Sequence, residues 1–404
     1  MSKEMKLIPE LRFPEFEKDG EWETESLGDV ADVYQPKTIS QTDLSEEGYP
    51  VYGANGIIGF YHEYNHETNQ IAIACRGSSC GTVNFTKPKS WITGNAMVVN
   101  VDQFNKIDKE LMFFQLDHAN LDYLVTGSGQ PQITGSIKKH EVFIPPLKEE
   151  QQKIASCLSS LDELIAAHKD KLDALKDHKK GLLQNLFPQE GERVPKFRFP
   201  EFENDGEWEE KKLGEILIKH RLGGNYENTK ENAGIPLIKM GNIERGSINL
   251  ENIQYLPINT LYNDDDILKE GDLLFNTRNT LELVGKVAIW RNELPFALYN
   301  SNLMRMTFDD KLISSNSFMN HLFNTRTWIN KLKAVATGTT SVAAIYTKDL
   351  HTIMVSFPSK SEQQKIASCL SAVDDLIKAE TEKIEALKGH KKGLMQGLFP
   401  KMEN

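Results

Sequence analysis

Glu150-Gln151-Gln152-Lys153-Ile154-Ala155-Ser156-Cys157-Leu158-Ser159 returns unchanged 212 positions later, as Glu362-Gln363-Gln364-Lys365-Ile366-Ala367-Ser368-Cys369-Leu370-Ser371. Each copy opens a long segment with helical spacing. The segments also end alike, in His178-Lys179-Lys180-Gly181-Leu182 through Pro188 and His390-Lys391-Lys392-Gly393-Leu394 through Pro400. From Leu158 the heptad a and d positions read Leu158, Leu161, Ile165, His168, Leu172, Leu175, Lys179, Leu182 and Leu186. From Leu370 they read Leu370, Val373, Ile377, Glu380, Ile384, Leu387, Lys391, Leu394 and Leu398. Only two positions in each series are not apolar, which predicts a coiled coil over four heptads. Ser359-Lys360-Ser361-Glu362 fits a capping box at the second start. At 1.5 Å per residue each helix is roughly 57 Å long.

A second motif is duplicated with a different offset. Arg12-Phe13-Pro14-Glu15-Phe16-Glu17 leads into Asp19-Gly20-Glu21-Trp22-Glu23, and Arg198 to Glu209 repeats it 186 positions later with Asn204 in place of Lys18. Because the offsets differ, the stretches between the motifs differ in length by 26 residues. The chain therefore reads as one frame built twice around two unlike inserts. The expected domains are residues 1–147, a long helix at 148–187, residues 188–357 and a second long helix at 358–404. The expected fold is mixed α+β: two globular domains joined by the helices, with an internal pseudo-two-fold repeat. The second insert follows the first helix by a short linker. The second helix can then pack at once by running back along the first, so an antiparallel coiled coil is expected.

Composition narrows the class. No apolar run reaches the roughly 18 residues of a membrane span, and Met1 to Pro9 lacks a signal-peptide core. The four cysteines form no disulfide framework. Cys157 and Cys369 read as small core residues, and Cys75 with Cys80 lacks the further ligands of a zinc site. A cytoplasmic, reduced protein is expected. The net charge of −11 argues at first against nucleic acid, but residues 10–29 and 195–215 carry −6 and −3 of it. Both spans belong to the duplicated frame, so the rest of the chain together is nearly neutral.

Within the first insert, Gly53, Gly56 and Gly59 punctuate apolar residues between Tyr49 and Tyr61, as turns between short strands do. Gln70 to Cys75 reads as a strand ending in the loop Arg76 to Gly81, Val83 to Phe85 as another strand, and Asp108 to Val125 as helix. Thr126 to Gln132 is a polar loop. In the second insert Gly271 to Phe275 and Val284 to Ala288 read as strands, Asn276 to Asn279 as a polar loop and Asn316 to Ala336 as helix. Thr337 to Thr340 takes the place of the earlier polar loop.

On these residues the whole chain resembles the specificity subunit of a type I restriction-modification enzyme. The likeness rests on the helix start at Pro145 to Ile154 with its weaker copy at Pro358 to Ile366, on the duplicated Phe-Pro-Glu-Phe and Gly-Glu-Trp motifs, and on the two dissimilar inserts. The second copy departs at Ser359-Lys360-Ser361, which lacks the second proline. The resemblance implies two target-recognition domains held by an antiparallel coiled coil, each reading half of a split site on double-stranded DNA. It implies two methyltransferase subunits on the frame and two motor-nuclease subunits in the full complex. S-adenosylmethionine, ATP and Mg2+ then belong to the partners, and this chain carries no cofactor. A pseudo-two-fold protein suits the local two-fold of duplex DNA.

Candidate contacts follow from residue chemistry. Arg76 with Ser78 and Ser79 lies on a glycine-flanked loop, where Arg can grip guanine and Ser a base or phosphate. Gln130 and Gln132 suit adenine edges. Asn276, Arg278 and Asn279 form a comparable loop in the second insert, and Lys286 and Arg305 are candidate phosphate contacts. Each of these also has a plain reading as a solvated turn or surface charge. Lys179 and Lys391, at equivalent a positions, can set helix register. The repeated polar residues Gln151, Lys180, Gln363 and Lys392 read as surface candidates for the methyltransferase contact.

No catalytic motif competes. Ile144-Pro145-Pro146-Leu147 lacks the polar group that an adenine methyltransferase needs, and Gly285-Lys286-Val287 fails as a phosphate loop at both ends. The alternative is a coiled-coil scaffold without sequence-specific DNA binding. It explains the helices but not why two large, dissimilar domains are carried on them.

Overall fold

The computed structural model describes residues 7–127, 129–231 and 234–400. Contacts divide the chain into two compact units, residues 1–170 with 382–404, and residues 171–381. The long helices span Lys148–Asn185 and Lys360–Leu398. Each unit therefore takes one insert, the first part of the long helix that follows it and the last part of the other.

Among the described residues the first unit has nine strands: β1 (Glu23–Ser26), β2 (Asp32–Tyr34), β3 (Tyr49–Gly53), β4 (Gly56–Tyr61), β5 (Ile71–Ala74), β6 (Val83–Phe85), β7 (Trp91–Ile92), β8 (Ala96–Asn100) and β9 (Glu141–Ile144). They form a four-stranded sheet ordered β2-β8-β5-β6, a three-stranded sheet β4-β3-β7 and the pair β1-β9. The central strand β5 is buried along its length. Helix α1 (Lys109–His118), capped by the Asp108 carboxylate, covers the first sheet. It stops at His118, and a short 3-10 turn at Asp122–Leu124 takes the rest of the stretch expected to be helical.

The second unit has β10 (Glu209–Lys212), β11 (Leu217–Leu222), β12 (Ile235–Ile238), β13 (Gln254–Leu256), β14 (Leu273–Asn276), β15 (Arg278–Asn279), β16 (Val287–Ile289), β17 (Leu298–Tyr299), β18 (Leu303–Phe308), β19 (Thr337–Gly338), β20 (Ala343–Ala344) and β21 (Met354–Phe357). Its sheets repeat the first unit: β11-β18-β14-β16, β13-β12-β17 and β10-β21, with β15-β20-β19 added. In β4-β3-β7 and in β13-β12-β17 the middle strand pairs antiparallel to one neighbour and parallel to the other. Unlike sequences thus fold to one topology. The expected helix over Asn316 to Ala336 is instead two, α2 (Asn316–Phe323) and α3 (Arg326–Val335). The break falls at Thr325, whose hydroxyl caps Trp328 N and so starts a new helix.

The duplicated lead-in segment docks onto the duplicated helix start in the same way in both units. Arg12 grips Glu150 through two hydrogen bonds of 2.8 and 2.7 Å, and its third nitrogen donates to the Gly20 carbonyl at 2.6 Å. Arg198, Glu362 and Gly206 reproduce these distances. Trp22 donates to Glu150 at 3.3 Å, whereas Trp208, equally buried, has no indole partner among the described residues. The expected capping box is half made. Ser359 accepts from Glu362 N at 3.4 Å, but the Glu362 carboxylate is taken by Arg198.

None of the eighteen heptad positions read from the sequence is exposed. In the second unit Lys171 pairs with Glu380 at 2.8 Å and Lys179 with Asp374 at 2.5 Å, so the helices run antiparallel there. In the first unit Lys391 bridges both Asp162 oxygens at 2.7 Å, and Ile154 and Leu158 share a core with Met395 and Leu398. Cys157 and Cys369 are half-buried rather than core. Among the described residues no helix is long and apolar enough to cross a membrane.

Candidate nucleic-acid interface

The turn after β5 is polar and partly exposed. Cys75 is buried, Arg76 and Ser78 are exposed and Ser79 is half-buried. Gly77 sits at φ +82°, which a side chain would strain, and accepts from Cys80 N at 3.1 Å to close the turn. The polar loop from Thr126 to Gln132 crosses this turn. Arg76 pairs as an antiparallel bridge with Gln132, which pairs in turn with Thr126. Gly77 N donates to Pro131 O at 3.0 Å and Ile133 N to Cys75 O at 3.1 Å. The crossing places Arg76, Ser78, Gln130 and Gln132 together on exposed backbone. Ser128 lies outside the described residues. The Arg76 guanidinium has no ion pair or hydrogen bond among the described residues.

The second unit builds the same crossing from other residues. Arg278 pairs with Ala344 and Asn279 with Ala343, while Thr337 and Gly338 pair with the same two alanines from the other side. Ile345 N donates to Thr277 O at 3.0 Å, as Ile133 N does to Cys75 O. Ala344 and Ile345 stand 212 positions after Gln132 and Ile133, the offset of the long helices. By backbone pairing, Arg278 is therefore the counterpart of Arg76. It is exposed and likewise unpaired through its side chain among the described residues.

Other candidates are placed differently. Asn276 is fully buried, and its side-chain oxygen caps Arg278 N at 3.2 Å, so it shapes the turn instead of facing outward. Asn279 is half-buried and its side-chain oxygen accepts from Thr280 N at 2.9 Å. Lys286 is held by Glu244 at 2.8 Å. Arg305 is held by Asp272 at 3.0 Å and by the Ile267 and Asp265 carbonyls, over the Tyr299 ring. Both cations are already paired inside the fold.

Gln151 and Gln363 are not surface residues, contrary to expectation. They are 3% and 0% exposed. Gln151 accepts from Asp108 N and donates to the Lys106 and Pro145 carbonyls. Gln363 does the same with Ser314 N and the Leu312 and Pro358 carbonyls. Their identity in the two copies reflects a shared clamp between helix start and insert. Lys180 and Lys392 are exposed. Leu164 and Leu376, repeat equivalents that the sequence reading passed over, are 41% and 54% exposed. Their signal was available, as the heptad assigns both to positions outside a and d. Among the described residues no cluster of His, Cys, Asp and Glu could hold a metal ion.

The chain is 27% identical to the MjaVIII specificity subunit of Methanocaldococcus jannaschii, over 96% of this chain and 93% of that one. It is 31% identical to the EcoprrI specificity subunit of Escherichia coli over 38% of its length and 39% of that relative. The crystal structure of a type I restriction-modification S subunit from M. genitalium matches with a TM-score of 0.67 and 16% identity, covering 98% of this chain and all of that one, a likeness of fold. The model of the type I restriction modification DNA specificity domain matches twice, at residues 19–177 and 205–388, one match for each insert with its helix. The chain therefore belongs to the family of type I restriction-modification DNA specificity proteins.

Proposed function

We propose that the chain is the non-catalytic, sequence-reading subunit of a type I restriction-modification complex, and that each unit reads one half of a bipartite site on duplex DNA. The observation that carries this is the repeated crossing. Two inserts of unlike sequence fold to one topology and present an unpaired, exposed arginine at the same backbone position. Arg can grip the O6 and N7 edge of guanine with two hydrogen bonds. The residues around it differ: Gln132, Gln130 and Ser78 in one unit, alanines and threonines in the other. Such a pair suits two different half-sites.

The long helices then form one antiparallel coiled coil that fixes the spacing of the half-sites. Repeated exposed residues, Lys180 with Lys392 and Leu164 with Leu376, offer two equivalent docking points. This suits two methyltransferase subunits, with two motor-nuclease subunits completing the assembly. S-adenosylmethionine, ATP and Mg2+ belong to those partners. A scaffold without DNA recognition is the less favoured reading, because it leaves the paired arginines without a role.

The test is Arg76→Ala and Arg278→Ala in the complex with methyltransferase subunits, measured by anisotropy against duplexes altered one base pair at a time. Each change is expected to cost about 1–3 kcal/mol and to relax preference at one base pair of one half-site only. A uniform loss across all sequences would reduce both arginines to phosphate contacts.

A further inference from the structure

The second unit contains a cavity of about 290 Å³ between the last turns of the first long helix, the turn at Arg245–Gly246 and the junction of α2 with α3. Its walls carry Lys176, Lys179, Lys180, Arg245 and Arg326, and no Asp or Glu among the described residues. The volume is near the lower end of small-ligand sites, roughly 300–1,000 Å³.

The cations are not equally satisfied. Lys179 is paired with Asp374, which Arg291 also approaches at 3.4 Å. Lys176 has only a loose contact of 3.8 Å with Asp173. Lys180 and Arg326 are exposed. Arg245 is half-buried. One of its terminal nitrogens reaches the Glu282 carbonyl at 3.5 Å, and the other is buried without a partner among the described residues. Burial pushes the Arg245 pKa down, as expected of a cation short of partners. An unpaired buried charge is costly, and an anion in the cavity relieves that cost. The first turn of α3 adds backbone N–H groups at the same wall.

The first unit supplies an internal comparison. Ser159 contacts Glu110 and its repeat equivalent Ser371 contacts Ser317, which aligns α1 with α2. Phe114 then corresponds to His321, and Asp117 to Asn324. In the first unit Lys391 has Asp162 as partner and Asp117 within electrostatic reach. The second unit replaces that second acid with Asn324 and adds Arg245 and Arg326. The excess of positive charge at this place is therefore larger in the second unit.

We propose that this cavity is a phosphate-binding site peculiar to the second unit, with Arg245 and Arg326 as its principal ligands. The phosphate comes either from the backbone of bound duplex or from a free phosphate compound. The site does not depend on which bases the chain reads.

Two measurements on Arg245→Gln and Arg326→Gln separate these sources, with Lys388→Gln, the repeat equivalent of Lys176, as control. In the first, the complex with methyltransferase subunits is titrated with cognate and scrambled duplexes at several salt concentrations. In the second, the full chain is titrated calorimetrically with inorganic pyrophosphate. Arg326 is exposed, so its variant keeps the test open if Arg245→Gln unfolds. A backbone phosphate is expected to lower the slope of log Kobs against log[salt] by about 0.9 for each variant, equally on both duplexes. A free phosphate is expected to leave that slope unchanged while both variants lose the pyrophosphate binding seen in the parent chain. No change in slope together with no pyrophosphate binding by the parent chain would overturn the proposal. So would an equal fall in slope for Lys388→Gln, which would mean a diffuse field. If the parent complex shows no sequence preference, the recognition reading fails while the pyrophosphate titration still decides the cavity.

Discussion

Arg12 and Glu150 illustrate what single residues carry in this fold. Their side chains are 5% and 0% exposed, and the guanidinium makes a two-pronged contact with the carboxylate. Removing one member of a buried pair leaves the other charge without a partner, at about 3–5 kcal/mol. Arg12→Ala is therefore expected to destabilise the first unit by that order, read from the midpoint of chemical denaturation. Arg198→Ala is expected to do the same in the second. A loss under about 1 kcal/mol would mean that water substitutes for the pair. The pairing had a signal in the sequence. Arg12 and Glu150 sit in motifs duplicated with different offsets, so each motif had to find its own copy of the other. The identity of Gln151 and Gln363 carried the same message and was read as surface, because sequence identity does not say whether a residue is kept for a partner or for the fold.

His321 makes a second prediction at this scale. It is buried, and burial together with Lys179 and Arg291 lowers its pKa to about 3 from the ordinary 6.5. The folded state holds it neutral, while the unfolded chain takes up a proton below pH 6.5. Its stabilising contribution is full above that pH and is lost as pH falls toward 3. His321→Phe, the residue found at the corresponding place in the first unit, is expected to flatten the acid limb of stability against pH. An unchanged limb in denaturant titrations across that range would remove His321 as its source.

At the scale of elements, legibility followed length. The heptad signal accumulates over many turns, and every a and d position read from it is shielded in the structure. β19 and β20 are two residues each and exist only because the strands beside them supply hydrogen bonds. No window that short has a period to read. The break between α2 and α3 was missed because Asn324-Thr325 interrupts a run whose apolar spacing continues across it, and cap chemistry won. The lysines at a positions are explained by the partner helix. Lys179 with Asp374 and Lys391 with Asp162 are the same pair made twice, once in each unit. Such pairs tie each helix to one register. Removing one heptad from both helices in register shortens them by ~10.5 Å, about three base pairs of duplex. The spacer of the methylated site is expected to shorten by about that much. A spacer of unchanged length would contradict the role of the helices as a ruler.

At the scale of the molecule, the frame was fully legible because it is written twice, and the likeness of the inserts was not. Their sheets share strand order and their crossings share hydrogen bonds, although the residues that build the crossings differ. Topology here is set by buried apolar patterning, which many sequences satisfy, while the exposed loops remain free to differ. That division is what a protein with two independent reading heads requires. The most direct measurement is methylome sequencing of a methylation-free host expressing the chain with its methyltransferase subunit, beside a chain whose residues 27–147 come from another family member. The expected result is a split motif with one modified adenine in each half on opposite strands, and an exchange that alters one half while the other half and the spacer stay unchanged. An unbroken motif, a motif indifferent to the exchange, or no new methylation from a complex shown to form would contradict independent reading by the two units.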